Sequence, residues 1–269
     1  MNAMSKLSGT VFPTQGLPVV ALHCSGASAR QWRGLEGLLA GRNRIVLPQF
    51  SGPEAACCPP GVQASRSDFS LRQEAAPVLA SMTEAGTPAH LVGHSYGGAV
   101  ALHIARHHPE RVASLCLYEP TAFDLLLRGG PAERSLGREI AALAGSIGVA
   151  LEDDKAAFAA QVFTEFWGGQ GAWQALDEAR KAAMLRWIPK VPLDFAALLN
   201  EPAGPPLLPG LPLTLICGER TRPQARAIVA RLADEHPLAR VHTLAGANHM
   251  GPFVRRDKVF DLVLHHLGA

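Results

Sequence analysis

Residues 90–108 read HLVGHSYGGAVALHIARHH. An apolar run ending in glycine, HLVG, meets a helix-forming run, GAVALHIARHH, across Gly93-His94-Ser95-Tyr96-Gly97. A G-x-S-x-G sequence at a strand-to-helix boundary is a tight turn that presents a serine. Glycines two before and two after the serine let strand and helix approach without Cβ clashes. The turn lifts the Ser95 hydroxyl to the carboxyl end of a strand. It also sets a helix N-terminus beneath that hydroxyl, where backbone N–H groups favour negative charge. A hydroxyl so placed is a candidate nucleophile.

Outward from this turn, short apolar runs recur: VVALHCSG (19–26), RIVLPQF (44–50), VASLCLYEP (112–120), LTLICGE (213–219) and RVHTLAG (240–246). Each is rich in Val, Ile and Leu with little polar alternation, which fits strands buried on both faces of a parallel sheet. Stretches with helical period separate them: Ser28 to Ala40, Phe69 to Met82, Tyr96 to His107, Pro223 to His236 and Phe253 to Leu267. Alternating strand and helix implies right-handed crossovers and an open, mostly parallel sheet with helices on both faces. A further antiparallel edge strand is expected around residues 8–13.

One region breaks this rhythm. From Thr121 to about Asn200 only helical patterns occur, over 134–148, 154–167, 171–187 and 192–199. The region holds half of the aromatic residues, and a Pro/Gly-rich link, EPAGPPLLPGLP (201–212), follows it. The expected organisation is therefore an α/β core of residues 1–120 and 201–269 carrying an all-helical cap of residues 121–200. Packing among the four helices explains part of the aromatic content. An aromatic lid over a pocket explains the rest, with Phe123, Phe166 and Trp167 as candidate substrate contacts.

Composition excludes several alternatives. Twenty-five basic and 23 acidic residues leave a net charge of +2, too balanced for a nucleic-acid or anionic-membrane partner. No run of about 18 apolar residues suggests a membrane span. The first residues, MNAMSKLSGTVFPTQG, lack the apolar core of a signal peptide. Five cysteines without a C-x-x-C pair read as reduced thiols of a cytoplasmic protein rather than as a disulfide or zinc framework. No P-loop, no G-x-G-x-x-G after a strand and no H-E-x-x-H is present. His107 and His108 are adjacent on a helix, point about 100° apart and make poor joint metal ligands.

Together, the turn at Ser95, the loop LHCSGAS (22–28), the helical region and a late histidine resemble the α/β-hydrolase superfamily, in that order and over nearly the whole chain. The resemblance implies a Ser-His-acid triad. Its base would lie in the loop after the last strand, Ala245-Gly246-Ala247-Asn248-His249-Met250-Gly251-Pro252, which makes His249 the base. The other histidines fit less well: His103, His107 and His108 look like surface residues of a helix, His265 and His266 lie in the last helix, His242 lies in a strand, and His94 points away from the serine hydroxyl. The family commonly carries its acid after the penultimate strand, where this chain reads Gly218-Glu219-Arg220-Thr221. Thr221 stands at that position and cannot stabilise an imidazolium by charge. A second family location is the end of the strand after the elbow helix, where Glu119 precedes Pro120. Glu119 is the expected acid, with Glu219 and Asp124 as alternatives. The oxyanion donors implied are the backbone N–H groups of Tyr96 and Ser25, with Cys24 where the family has glycine and Gln49 where many relatives have aspartate.

The expectation is a serine hydrolase that acts on an ester, thioester or related acyl bond of a small molecule with an apolar moiety. It would need no cofactor or metal and would act as a monomer or homodimer. Carbon–carbon hydrolysis and acyl transfer use the same triad. A non-catalytic ligand-binding protein on this scaffold is the alternative that the missing aspartate favours.

Overall fold

The computed structural model describes residues 16–52, 69–86 and 88–268. Among the described residues six strands form one sheet: β1 (Gly16–Leu22), β2 (Asn43–Val46), β3 (Ala89–His94), β4 (Val112–Tyr118), β5 (Leu213–Gly218) and β6 (Arg240–Leu244). Their order is β2-β1-β3-β4-β5-β6 and every pairing is parallel. The antiparallel strand expected around residues 8–13 lies outside the described residues, as do Cys57 and Cys58. Cys24, Cys116 and Cys217 are buried and free.

Side chains alternate across the sheet because successive Cβ atoms in a strand point to opposite faces. Val19, Ala21, Val92, Cys116 and Ile216 face one way, against Trp32, α1 (Leu35–Leu38) and Val259, Phe260 and Val263 near the C-terminus. Val20, Leu22, Leu91, Leu115, Leu117 and Leu215 face the other, against α2 (Leu71–Ala85) and α3 (Tyr96–His107). The central runs are therefore buried on both faces, as expected. RVHTL is not: β6 is the edge of the sheet and Val241 is 48% exposed.

Five helices separate β4 from β5: α4 (Phe123–Leu127), α5 (Pro131–Glu152), α6 (Ala156–Gly168), α7 (Glu178–Trp187) and α8 (Val191–Leu199). They match the helical patterns, with two differences. The short α4 lies in front of them, and residues 170–176 form turns rather than the first half of a helix. The remaining helices are α9 (Pro223–Glu235), α10 (Gly251–Val254) and α11 (Arg256–Leu267). The helix expected over 28–40 is broken into a single 3₁₀ turn, Ala29–Trp32, and α1. The break serves the site, because Gln31 turns inward there to take the Cys24 N–H.

Strand order reverses between β1 and β3. The chain leaves β1 toward β2 on one side and returns to β3 on the other. At such a switch point the loops after the two strands part and leave a crevice. Ser25 follows β1 and Ser95 follows β3, so the topology itself brings these two serines to one crevice.

Candidate active site

Ser95 sits between β3 and α3 with φ +54° and ψ −117°. That region is unfavourable for a residue with a Cβ, by about 1–3 kcal/mol. It persists because its surroundings fix it: Ser95 N–H donates to Tyr118 O at 3.1 Å, and Thr121 N–H donates to Ser95 O at 3.2 Å. The glycine at 97 is obligatory by contact, since a Cβ there would lie 2.5 Å from Leu22 O and 2.6 Å from His23 O.

Glu119 also has positive φ, +42°, directly after β4. The strained turn drives its carboxylate inward, where it is fully buried. Oε1 accepts Gly218 N–H at 2.7 Å, and Oε2 accepts the Thr221 hydroxyl at 2.6 Å and meets His249 Nδ1 at 2.8 Å. His249 Nε2 lies 2.9 Å from Ser95 Oγ. The structure thus brings Ser95, His249 and Glu119 into one hydrogen-bonded chain. Thr221 does not replace the carboxylate; it donates to it. Glu219 points elsewhere, accepting Gly246 N–H at 2.8 Å, and Asp124 pairs with Arg128.

The loop after β1 is held by side chains that the sequence reading passed over. Phe50 N–H and Gln49 Nε2 both reach His23 Nε2, at 3.2 and 2.9 Å. Nε2 is therefore the acceptor, and Nδ1–H donates to Cys24 O at 2.8 Å. Burial holds His23 down at about 4, which keeps the ring neutral as this pattern requires. Ala27 N–H also donates to Cys24 O, at 3.3 Å. In a planar trans peptide the following N–H points the opposite way, so Ser25 N–H is turned away from His23. Cys24 N–H donates to Gln31 Oε1 at 3.1 Å, and Gln31 Nε2 reaches His94 Nδ1 at 3.0 Å. His94 Nε2–H then donates to His249 O at 2.9 Å. One buried chain therefore ties the Ser25 loop, the elbow and the histidine loop together. Burial presses His94 well below its ordinary value, consistent with a neutral bridge.

An alpha/beta hydrolase family profile matches residues 19–262. The chain belongs to the alpha/beta hydrolase family. It is similar to a pimeloyl-[acyl-carrier protein] methyl ester esterase from Aeromonas hydrophila subsp. hydrophila, at 27% identity over 94% of this chain and 95% of that protein. Among solved structures, a hydrolase from Pseudomonas aeruginosa PA01 superposes with a TM-score of 0.71 at 21% identity, covering 94% of this chain and 91% of that one. A thermophilic esterase from Thermogutta terrifontis does so with 0.68 at 19% identity, covering 95% and 90%.

As a hydrolase of this family, the protein carries its pocket between the elbow and the helical layer. About 250 Å³ of space is lined by Ser25, Ser95, Tyr96, Phe123, Trp167 and Asp194, with Phe163, Phe195, Val191, Thr121 and Leu198 completing the wall. Trp167 also lies against His249, ring centroids 4.1 Å apart. Phe123 and Trp167 thus reach the pocket, but Phe166 does not. Its ring lies under the Arg222 guanidinium at 4.1 Å, because it projects about 100° round α6 from Trp167. Phe163, four residues before Trp167 and on its face, takes the place expected of Phe166.

Behind the pocket is a buried ionic cluster that the sequence reading missed. Lys190 Nζ lies 2.5 Å from Asp194 Oδ1 and 3.3 Å from Glu74 Oε1. All three residues are 2% exposed or less. The ammonium also lies 4.9–5.2 Å from the ring centres of Tyr96, Phe69 and Trp187, where aromatic faces favour a cation. Burial pushes both carboxyls up, and Lys190 opposes that rise. Asp194 Oδ2 accepts the Ser25 hydroxyl, which in turn accepts Trp187 Nε1–H at 3.3 Å. A carboxylate of α8 therefore grips the residue expected to supply the second oxyanion donor.

Cys24 is 6% exposed, and burial pushes its thiol up to about 12, so it packs rather than reacts. Gln49 acts as a tie, accepting Ala29 N–H at 3.0 Å and contacting His23. One histidine differs from expectation: His103 is buried and pairs with Glu201. His266 lies in the last helix, as expected, and bridges the sheet residues Ser114 and Thr214 at 2.7 and 2.8 Å. His94 does point away from the serine hydroxyl, but into the chain described above. No helix among the described residues is long and apolar enough to cross a membrane.

Proposed function

We infer that the protein is a serine hydrolase that cleaves carboxylic esters with a small apolar acyl group. The observation that carries this reading is the continuous chain Ser95 Oγ–His249 Nε2, His249 Nδ1–Glu119 Oε2, at 2.9 and 2.8 Å, on the floor of an aromatic pocket. Ser95 Oγ attacks the ester carbonyl carbon as its proton passes to His249 Nε2. The imidazolium is stabilised by Glu119, whose second oxygen is held by Gly218 N–H. Tyr96 N–H and Ser25 N–H receive the oxyanion. The C–O bond to the alcohol breaks, and His249 delivers the proton to the leaving oxygen. Water then gives its proton to Nε2, attacks the acyl-serine and releases the acid as Ser95 recovers its proton.

The acyl group would lie against Phe123, Phe163, Trp167 and Phe195. The space between these rings is small, which suits a short chain or a single ring. Residues 121–200 would act as the lid of this pocket over a core of 1–120 and 201–269. The ester-cleaving relative from Aeromonas hydrophila supports an ester over other acyl bonds.

The test is labelling by a fluorophosphonate probe, read by intact mass, with hydrolysis of p-nitrophenyl esters of stepped chain length alongside. Single labelling of the wild type, none of Ser95→Ala and a preference for short acyl chains are expected. A folded wild type that neither labels nor hydrolyses would overturn the reading in favour of a ligand-binding protein.

A further inference from the structure

At the far end of α3 from Ser95, and outside the mechanism above, the fold gathers three metal-ligating side chains. We propose that His103, His107 and Glu201 form a binding site for a divalent transition-metal ion of the zinc class, which fastens the segment after α8 to the helix that carries Ser95. His103 and His107 are four residues apart on α3, so their rings share one face, with centroids 4.5 Å apart. Glu201 follows α8 and meets them there, its Oε1 2.6 Å from His103 Nδ1. One ligand atom from each of the three lies within 4.8 Å of the others. Tetrahedral zinc, with bonds of about 2.0–2.2 Å, needs its ligand atoms roughly 3.3 Å apart. Small side-chain rotations would open the His103–Glu201 pair and draw in His107, the exposed member.

The surroundings suit a cation. Arg106 and Arg128 are the nearest positive side chains, and both are already met: Arg128 by Asp124, and Arg106 by Asp124 at 3.9 Å and Glu235 at 3.8 Å. Neither takes the Glu201 carboxylate, whose partner is His103, itself a proposed ligand. The site also lies on the last turn of α3, the negative end of its dipole. The Glu201 side chain and His103 are 7% and 8% exposed, while His107 faces solvent, which gives an entry path and room for a water as fourth ligand. Gly204 lies over the same ring; a Cβ there would come 3.1 Å from His107 Nε2. Ser95 is eight residues from His103 along the helix, about 12 Å. The ion would thus act on how the segment after α8 is anchored, and not on the reacting atoms.

The test uses the full chain, stripped of metal by a chelator and titrated with Zn²⁺ by calorimetry and by thermal melting. One ion per chain and a rise in Tm on zinc addition are expected. His107→Gln, an exposed change that leaves the fold intact, should weaken binding by at least about tenfold and remove the Tm rise. Glu201→Gln should do the same, while ester hydrolysis by metal-free His107→Gln stays at the wild-type rate. Absence of zinc binding by the wild type, or equal binding by wild type and His107→Gln, would overturn the proposal. Neither result touches the Ser95 chemistry, which fluorophosphonate labelling reads separately.

Discussion

Replacing Ser25 by alanine removes a hydroxyl and keeps the backbone N–H, which separates the support of the oxyanion donor from the donor itself. The hydroxyl donates to Asp194 Oδ2 and accepts Trp187 Nε1–H. A hydrogen bond to a buried charged group contributes about 1.5–3 kcal/mol, and the carboxylate oxygen left behind loses its hydroxyl donor. A stability loss of about 2–3 kcal/mol follows, or roughly 5–10 °C in Tm for a chain of this size. His23 and Gln31 still hold Cys24 from the other side, so the N–H is loosened and not lost. Complete loss of one oxyanion donor lowers kcat about 10²–10³-fold, so a loosened one should lower it by about tenfold. KM should barely change, because the aromatic wall is untouched. The assay is kcat and KM on a short-chain p-nitrophenyl ester beside a melting curve, repeated with Asp194→Asn and with the double variant. If Asp194 acts through Ser25, the second change adds nothing to the kcat loss of the first. Additive losses in kcat, or a loss carried by KM, would refute the argument.

Glu119→Gln should lower kcat by about 10³–10⁴-fold with the fold retained, while Glu219→Gln leaves kcat within a few fold; similar losses in the two would reject the assignment of the acid. Acid should destabilise the fold through buried, neutral histidines. Burial holds His23 and His266 at about 4, so as pH falls below about 6.5 the unfolded chain takes up protons that the folded chain refuses. Stability is then lost between about pH 6.5 and 4, by up to roughly 3 kcal/mol per histidine, and urea melts at pH 7 and 4.5 with equal midpoints would contradict this. Phe195→Ala should enlarge the pocket and move the preferred acyl chain to greater length in kcat/KM, at about 3–5 kcal/mol of stability; an unchanged chain-length profile would place the acyl group elsewhere.

The parts of the site that could be read in the sequence are those whose chemistry is local. Gly93, Ser95 and Gly97 carry their geometry in their spacing, and His249 is marked by its place after the last apolar run. Glu119 could be inferred because a carboxylate ending a buried strand needs a partner, although its second partner, Thr221, had looked only like a missing acid. The ionic cluster was not legible. Lys190 and Asp194 look like ordinary i, i+4 polar residues of a helix, and nothing in the sequence says that Glu74 and Ser25, more than a hundred positions away, close around them. The Gln31–His94–His249 chain was hidden for the same reason. Phe163 was legible and overlooked: its four-residue spacing from Trp167 puts both on one face, where Phe166 cannot be. The exposure of β6 followed from sheet order, which apolar content alone does not give.

Ser95 and Glu119 directly follow neighbouring strands, β3 and β4, whose register, His94 opposite Tyr118, is set by backbone pairing. Only His249 has to be delivered from a distance. The turn after β5 contributes two ties to Glu119, a backbone N–H and one hydroxyl. In the same turn the Glu219 carboxylate accepts Gly246 N–H, in the loop that carries His249. New surface grafted near this turn would therefore have to keep Gly218 and Thr221, which hold Glu119, and Glu219, which holds the histidine loop.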